Sequence, residues 1–119
     1  MNGVYEQLKY LLRPNSVAVI GASREPHKIG HQVLKNLLEG GFPKNRIYPV
    51  NPHAEYILGL KCYSSVKDVP YPVDMAVIVV PARIVPRVLQ ECVEKGVKAV
   101  TVISSGFKEV GRVKEERRL

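Results

Sequence analysis

Ser16-Val-Ala-Val-Ile-Gly-Ala-Ser-Arg-Glu-Pro-His-Lys-Ile-Gly30 is the stretch whose reading decides the fold. Val17 to Ile20 is a short apolar run of strand formers, and it stops at Gly21, Ala22 and Ser23. After a polar loop, an apolar stripe at helical spacing begins at Ile29. A buried strand that runs through small residues into a helix start is a place to hold an anion. The first N–H groups of a helix are unpaired and carry positive partial charge, and small side chains let a phosphate approach the backbone. The stretch reads as the phosphate-gripping turn of a nucleotide-type cofactor site.

The same alternation continues on both sides of it. Val4, Tyr5, Leu8, Leu11 and Leu12 predict an amphipathic helix over 3–12, ended by Pro14 and Asn15. Downstream, Ile29, Val33, Leu34, Leu37 and Leu38 predict a helix stopped at Gly40-Gly41. Arg46 to Val50 follows as a strand cut off by Asn51-Pro52. The region 53–72 is less regular, with a short strand or hairpin expected near Tyr56 to Tyr63 and a helical turn capped by Ser64 or Ser65. Met75 to Val80 is the strongest strand pattern and ends at Pro81-Ala82. Ile84, Val85, Val88, Leu89, Cys92 and Val93 then predict a helix closed by Gly96. A strand at Lys98 to Ile103 ends in Ser104-Ser105-Gly106, and the charged tail 107–119 resembles an incomplete helix.

Strand and helix in alternation, with strands apolar along their whole length, predict a Rossmann-like, doubly wound α/β fold. Its sheet is mostly parallel and covered on both faces. In such sheets ligands sit beyond the carboxyl ends of the strands, where strand order reverses. All four candidate strands finish there in small, proline or hydroxyl residues, so one crevice is expected, floored by small residues and short of acidic ones.

A chain of 119 residues, 45% hydrophobic and 24% charged, suits one compact domain, 1–119, burying about two thirds of its unfolded surface. Eighteen Lys and Arg against eleven Asp and Glu give a net charge of +7, which favours anionic partners without naming one. Basic residues recur in the tail at Arg112, Lys114, Arg117 and Arg118. Cys62 and Cys92 have no metal-ligand spacing and read as structural thiols of a reducing cytosol. No signal peptide and no membrane span is legible, so a cytoplasmic protein is expected.

For a dinucleotide, the first turn should read Gly-x-Gly-x-x-Gly, with an acidic residue about 20 positions on. Here Gly21 is followed by Ala22-Ser23, and the second strand ends in Asn51-Pro52-His53. The carboxylate that would hold the ribose is absent. An NAD(P) oxidoreductase domain, with Arg24 serving a 2′-phosphate, is kept as an alternative.

Several segments, in order and at workable spacing, carry a resemblance. They are Leu12-Arg-Pro-Asn-Ser-Val-Ala-Val-Ile-Gly-Ala-Ser23, Lys28-Ile29-Gly30, Tyr48-Pro-Val-Asn-Pro52, Val73-Asp-Met-Ala-Val-Ile-Val-Val-Pro-Ala82 and Ser104-Ser-Gly-Phe-Lys-Glu109. Together the set resembles the CoA-binding domain of NDP-forming acyl-CoA synthetases. That group includes ADP-forming acetyl-CoA synthetases and, more distantly, the succinyl-CoA synthetase alpha subunit.

The resemblance implies that CoA or an acyl-CoA is the cofactor. Its phosphates would meet Ser23 and Arg24, with Gly21 and Ala22 giving room and Ile29 and Gly30 beside them. The adenine would border Val80, Pro81 and Ala82, and the pantetheine arm would lie against Ser104, Ser105 and Gly106. Asn51 and Pro52 would stand at the same site. Where succinyl-CoA relatives have a lysine after the second strand, this chain has Asn51, His53 and Ala54, so no direct charge contact is implied there.

The resemblance further implies an acyl phosphate and a phosphorylated histidine carried by another domain. None of His27, His31 and His53 sits in a matching context. His31 reads as a surface or satisfied helix residue, and His27 and His53 as loop residues beside the crevice. Cys62 has no legible partner base, and no catalytic or metal-binding residue is assigned. Complete catalysis by this chain alone is therefore not expected. A module that binds a partner subunit is compatible with this reading. Nucleic acid ranks last, because no aromatic residues interleave with the basic ones.

Overall fold

The computed structural model describes residues 9–103. Residues 9–12 are helical, so the first expected helix is met at its end. The remaining residues of that expected helix, 3–8, and the tail 107–119 lie outside the described residues. The elements that follow are β1 (Val17–Ile20), α1 (Ile29–Glu39), β2 (Ile47–Val50), a small hairpin of β3 (Tyr56–Ile57) and β4 (Leu60–Lys61), β5 (Met75–Ile78), α2 (Val85–Lys95) and β6 (Ala99–Val102). Every strand and helix expected within 13–103 is present, with ends shifted by a residue or two.

The four longer strands form one parallel sheet in the order β2-β1-β5-β6. Val17 pairs with Ile47 on one side and with Met75 on the other, and Met75 pairs with Ala99. The chain thus leaves β1 in one direction to reach β2 and in the other to reach β5. Strand order reverses at β1, and this is the switch point of a doubly wound sheet.

Alternation along each strand splits the core into two layers. Ala18, Ile20, Ala76 and Ile78 pack with Val85, Val88 and Cys92 of α2. Val17, Val19 and Val77 pack on the opposite face with Leu34 of α1 and with Ile57 and Leu60 of the hairpin. Continuous apolar strands therefore did signal a sheet covered on both faces.

The sheet's register is stapled at its amino ends by Ser16, which is 7% exposed. Its Oγ donates to the Pro72 carbonyl at 2.9 Å and accepts from the Asp74 N–H at 2.9 Å. At the β2 edge, Pro49 has no N–H to offer a further strand. The edge is closed instead by Tyr63, whose N–H donates to the Pro49 carbonyl and whose carbonyl accepts from Asn51. Ser65 caps the short turn Val66–Asp68 by accepting from the Lys67 N–H.

Two glycines set how closely the elements meet at the carboxyl rim. Gly21 has φ 99°, and a Cβ there would overlap the Val79 carbonyl at the end of β5. A Cβ on Gly30 would overlap the Gly21 carbonyl oxygen and lie 2.9 Å from its carbon. The start of α1 therefore presses on the turn after β1, and that turn presses on the end of β5. The opposing atoms are backbone and have no rotamer to move.

Gly30→Ala is expected to cost about 3 kcal/mol, which lowers Tm by more than about 10 °C. Gly41 also has positive φ (90°), but nothing lies within 4 Å of its missing Cβ. Gly41→Ala should cost only the backbone term of about 1–2 kcal/mol. Paired thermal melts of the two variants check the contrast, and equal losses would contradict it.

Candidate functional site

The ends of β1, β2 and β5 converge on a cavity of about 510 Å³. Its wall includes Gly21, Ala22, Ser23, Asn51, Pro52, Val80 and Pro81. A second hollow of about 330 Å³ lies beside it and shares Gly21, Lys28, Val79, Val80 and Pro81. Ile29 and Gly30 line that second hollow, as does Ile103 just past β6. The strand ends read as one crevice in the sequence thus do border one rim for the first three strands.

Not every expected site residue is at the wall. Arg24 is exposed and lines neither hollow, although it follows Ser23 directly, and Ala82 also falls outside both. Ser104, Ser105 and Gly106 lie outside the described residues. Gly21 and Ala22 differ from expectation in what they do. The space at Gly21 is taken by the Val79 carbonyl, and Ala22 is 1% exposed, with its methyl among Val17, Val19 and Leu34. Their small size serves packing of the protein against itself.

Three groups offer hydrogen-bond donors at this rim. The N–H groups of Ser23 and Arg24 have no acceptor among the described residues. Neither do those of Ile29 and Gly30 at the start of α1. That start has no side-chain cap and no acidic residue in its first turn, although most helices recruit one. Lys28, at the N-cap position, lines both hollows and adds an ammonium group. The arrangement matches what an anion requires.

The loop carrying these donors is tied down from below. Asn51 Nδ2 donates to the Ala22 carbonyl at 2.8 Å, and Asn51 Oδ1 accepts from the His53 N–H at 2.7 Å. His31 is 7% exposed, and its Nδ1 donates to the Ser23 carbonyl at 2.9 Å. A carbonyl can only accept, so Nδ1 bears the proton. His31 is thus a satisfied helix residue and is buried. Asn51, expected at the cofactor, is spent on joining two loops. His53 borders the larger hollow and His27 the smaller.

The wall is not short of acidic groups, contrary to the sequence expectation. Glu25 and Glu91 line the larger hollow together with Lys28 and Arg87. Glu91 is partly engaged, accepting from Ser65 Oγ at 3.0 Å. The reason lies in the pitch of α2, which turns positions 84, 87, 88 and 91 to one side, so Arg87 and Glu91 join Ile84 and Val88 at the wall. The apolar stripe alone does not reveal which polar neighbours travel with it.

With this geometry established, comparison with known proteins becomes informative. Residues 15–116 match the CoA binding domain family. The chain belongs to that family. This CoA-binding domain is 55% identical over 104 residues to the ADP-forming acetate–CoA ligase II of Archaeoglobus fulgidus, aligning 87% of this chain with 15% of that protein. It is 55% identical over 108 residues to the ADP-forming acetate–CoA ligase I subunit alpha of Pyrococcus furiosus, covering 87% and 23% of the two chains. Among solved structures it resembles the apo form of the dinucleotide-forming acetyl-coenzyme A synthetase 1 of Ca. Korarchaeum cryptofilum. There the TM-score is 0.81 at 52% identity, over 90% of this chain and 23% of that one. The domain therefore spans less than a quarter of the length of these relatives. Among its described residues, no helix is long and apolar enough to cross a membrane.

Both thiols of the domain are free and buried. Burial pushes the Cys92 thiol up to about 11 and raises Cys62 as well, so neither is an activated nucleophile. Between pH 9 and 11 the unfolded chain gives up the Cys92 proton while the folded chain keeps it. Stability from this source is complete below pH 9 and is lost as pH rises toward 11. Denaturant titrations should show wild type losing more stability than Cys92→Ala between pH 8.5 and 10.5, and identical pH profiles would contradict the assignment.

Proposed function

We propose that this chain binds coenzyme A or an acyl-CoA at the carboxyl rim of its sheet, and that residues 1–119 act as one cytoplasmic CoA-binding unit. The observation that carries the reading is a coincidence of two facts. The CoA binding domain family matches 15–116, and the ends of three strands in that span surround a hollow with unpaired donors. Its volume lies within the usual range for small-molecule sites.

The roles follow from chemistry. The phosphates lie over the Ser23 and Arg24 amides and the uncapped start of α1 at Ile29 and Gly30, with Lys28 as counter-charge. Arg24 swings in from its exposed position. The adenine rests on the apolar turn of Val80, Pro81 and Ala82, near Ile84. Asn51 and Pro52 form the far wall, and the pantetheine arm runs along Ser104, Ser105 and Gly106.

One helix terminus contributes about 0.3–1 kcal/mol per charge, whereas micromolar binding needs about 8 kcal/mol. The dipole is therefore a minor part, and cations with directed hydrogen bonds supply the greater share. A nicotinamide dinucleotide is disfavoured, because the residue ending β2 is an amide whose two polar atoms already serve the protein.

Among the described residues this rim offers no group suited to acyl transfer, and further synthetase domains or subunits work with the chain in this account. One relative is named as a subunit alpha, which supports that reading. Nucleic acid is not a partner in this account.

Calorimetry with CoA should give saturable binding in the micromolar range, weakening as salt rises. Lys28→Ala should raise Kd about tenfold, the loss of about 1.4 kcal/mol. No heat at millimolar CoA, or equal affinity for NADPH, would overturn the proposal.

A further inference from the structure

The carbonyls of two successive residues in the turn after β1 are each held by a side chain from elsewhere in the fold. Asn51, at the end of β2, holds that of Ala22, and His31, on the first turn of α1, holds that of Ser23. In a trans peptide the C=O and the following N–H point in opposite directions. Fixing the Ala22 carbonyl therefore fixes the Ser23 N–H, and fixing the Ser23 carbonyl fixes the Arg24 N–H. These two N–H groups are left without a partner among the described residues.

His31 is buried beneath the loop, so the peptide it grips turns its N–H away from the core. The loop is held at its start by Gly21 N–H on the Val50 carbonyl and further on by Gln32 Nε2 on the Pro26 carbonyl. Between them, among the described residues, only Asn51 and His31 reach the Ala22 and Ser23 carbonyls, since Ser23 Oγ bonds only to Glu25 N–H two residues on. An imidazole is a costly group to bury for packing alone, and this one spends its Nδ1 proton on a single carbonyl.

We propose that His31 and Asn51 are positioning residues that aim the Arg24 and Ser23 amides at a phosphate. The inference rests on the coenzyme A reading for the identity of the ligand, but it concerns the orientation of the donors. Pre-set amides lose no loop freedom when the anion arrives, whereas a free loop must be ordered at the expense of affinity.

The test uses three variants and two ligands. His31→Phe keeps a ring without a donor, and His31→Asn puts an amide nitrogen where Nδ1 was. Asn51→Asp replaces the donor to Ala22 with a carboxylate oxygen. Amide ¹H–¹⁵N spectra are recorded with inorganic pyrophosphate, and Kd is measured with CoA.

In wild type, pyrophosphate should shift the Ser23 and Arg24 amides. His31→Phe should lose the Arg24 shift and bind CoA at least tenfold more weakly, and His31→Asn should recover most of both. Asn51→Asp should lose the Ser23 shift, and it carries the test if His31→Phe does not fold. A folded His31→Phe or Asn51→Asp with wild-type shifts and affinity would overturn the clamp while leaving the CoA site intact. Wild-type protein that shows the pyrophosphate shifts but binds no CoA would support the clamp and overturn the CoA reading.

Discussion

Gly30 lies against the backbone of Gly21, and Gly21 lies against the carbonyl of Val79. At both places a β-carbon would overlap a peptide group, so the contact exists only because two side chains are absent. That contact seats the amino end of α1 on the turn after β1, beside the end of β5. Everything distinctive about the rim follows from it. The uncapped amides, the Lys28 ammonium and the apolar Val80-Pro81 turn share one opening because three backbones meet there without side chains between them.

Much of this architecture was legible in the sequence, for a specific reason. Strand ends in this fold are punctuated by residues that cannot continue a strand, and Gly21, Pro52 and Pro81 mark three of them. Apolar runs between those marks had to be buried on both faces, which required helices on each side. The split of Val17 and Val19 from Ala18 and Ile20 into different core layers is that prediction realised. A short strand or hairpin near Tyr56 and a cap at Ser64 or Ser65 were also readable, because turns and caps depend on neighbours two or three residues away. The structure selects the hairpin and Ser65.

What stayed hidden depends on residues distant in sequence. The bond from Asn51 to Ala22 spans 29 positions and leaves no periodic trace. His31 sits in a helix whose apolar stripe says nothing of a carbonyl waiting beneath it. Arg87 and Glu91 reached the wall through the rotation of α2, which only packing fixes. Small residues at the rim were read as space for a ligand, whereas Gly21 and Ala22 make room for the protein itself. Arg24, the obvious cation, lines neither hollow, and Lys28, the residue just before the helical stripe, takes the wall position.

The central claim is that phosphate groups of coenzyme A rest on peptide N–H groups of the β1 turn and the first turn of α1. A crystal structure of the CoA complex tests it directly. The account predicts phosphate oxygens about 3 Å from the amide nitrogens of Ser23 or Arg24 and from the start of α1. Phosphates seated instead beyond the end of β2, or over the hairpin, would contradict it.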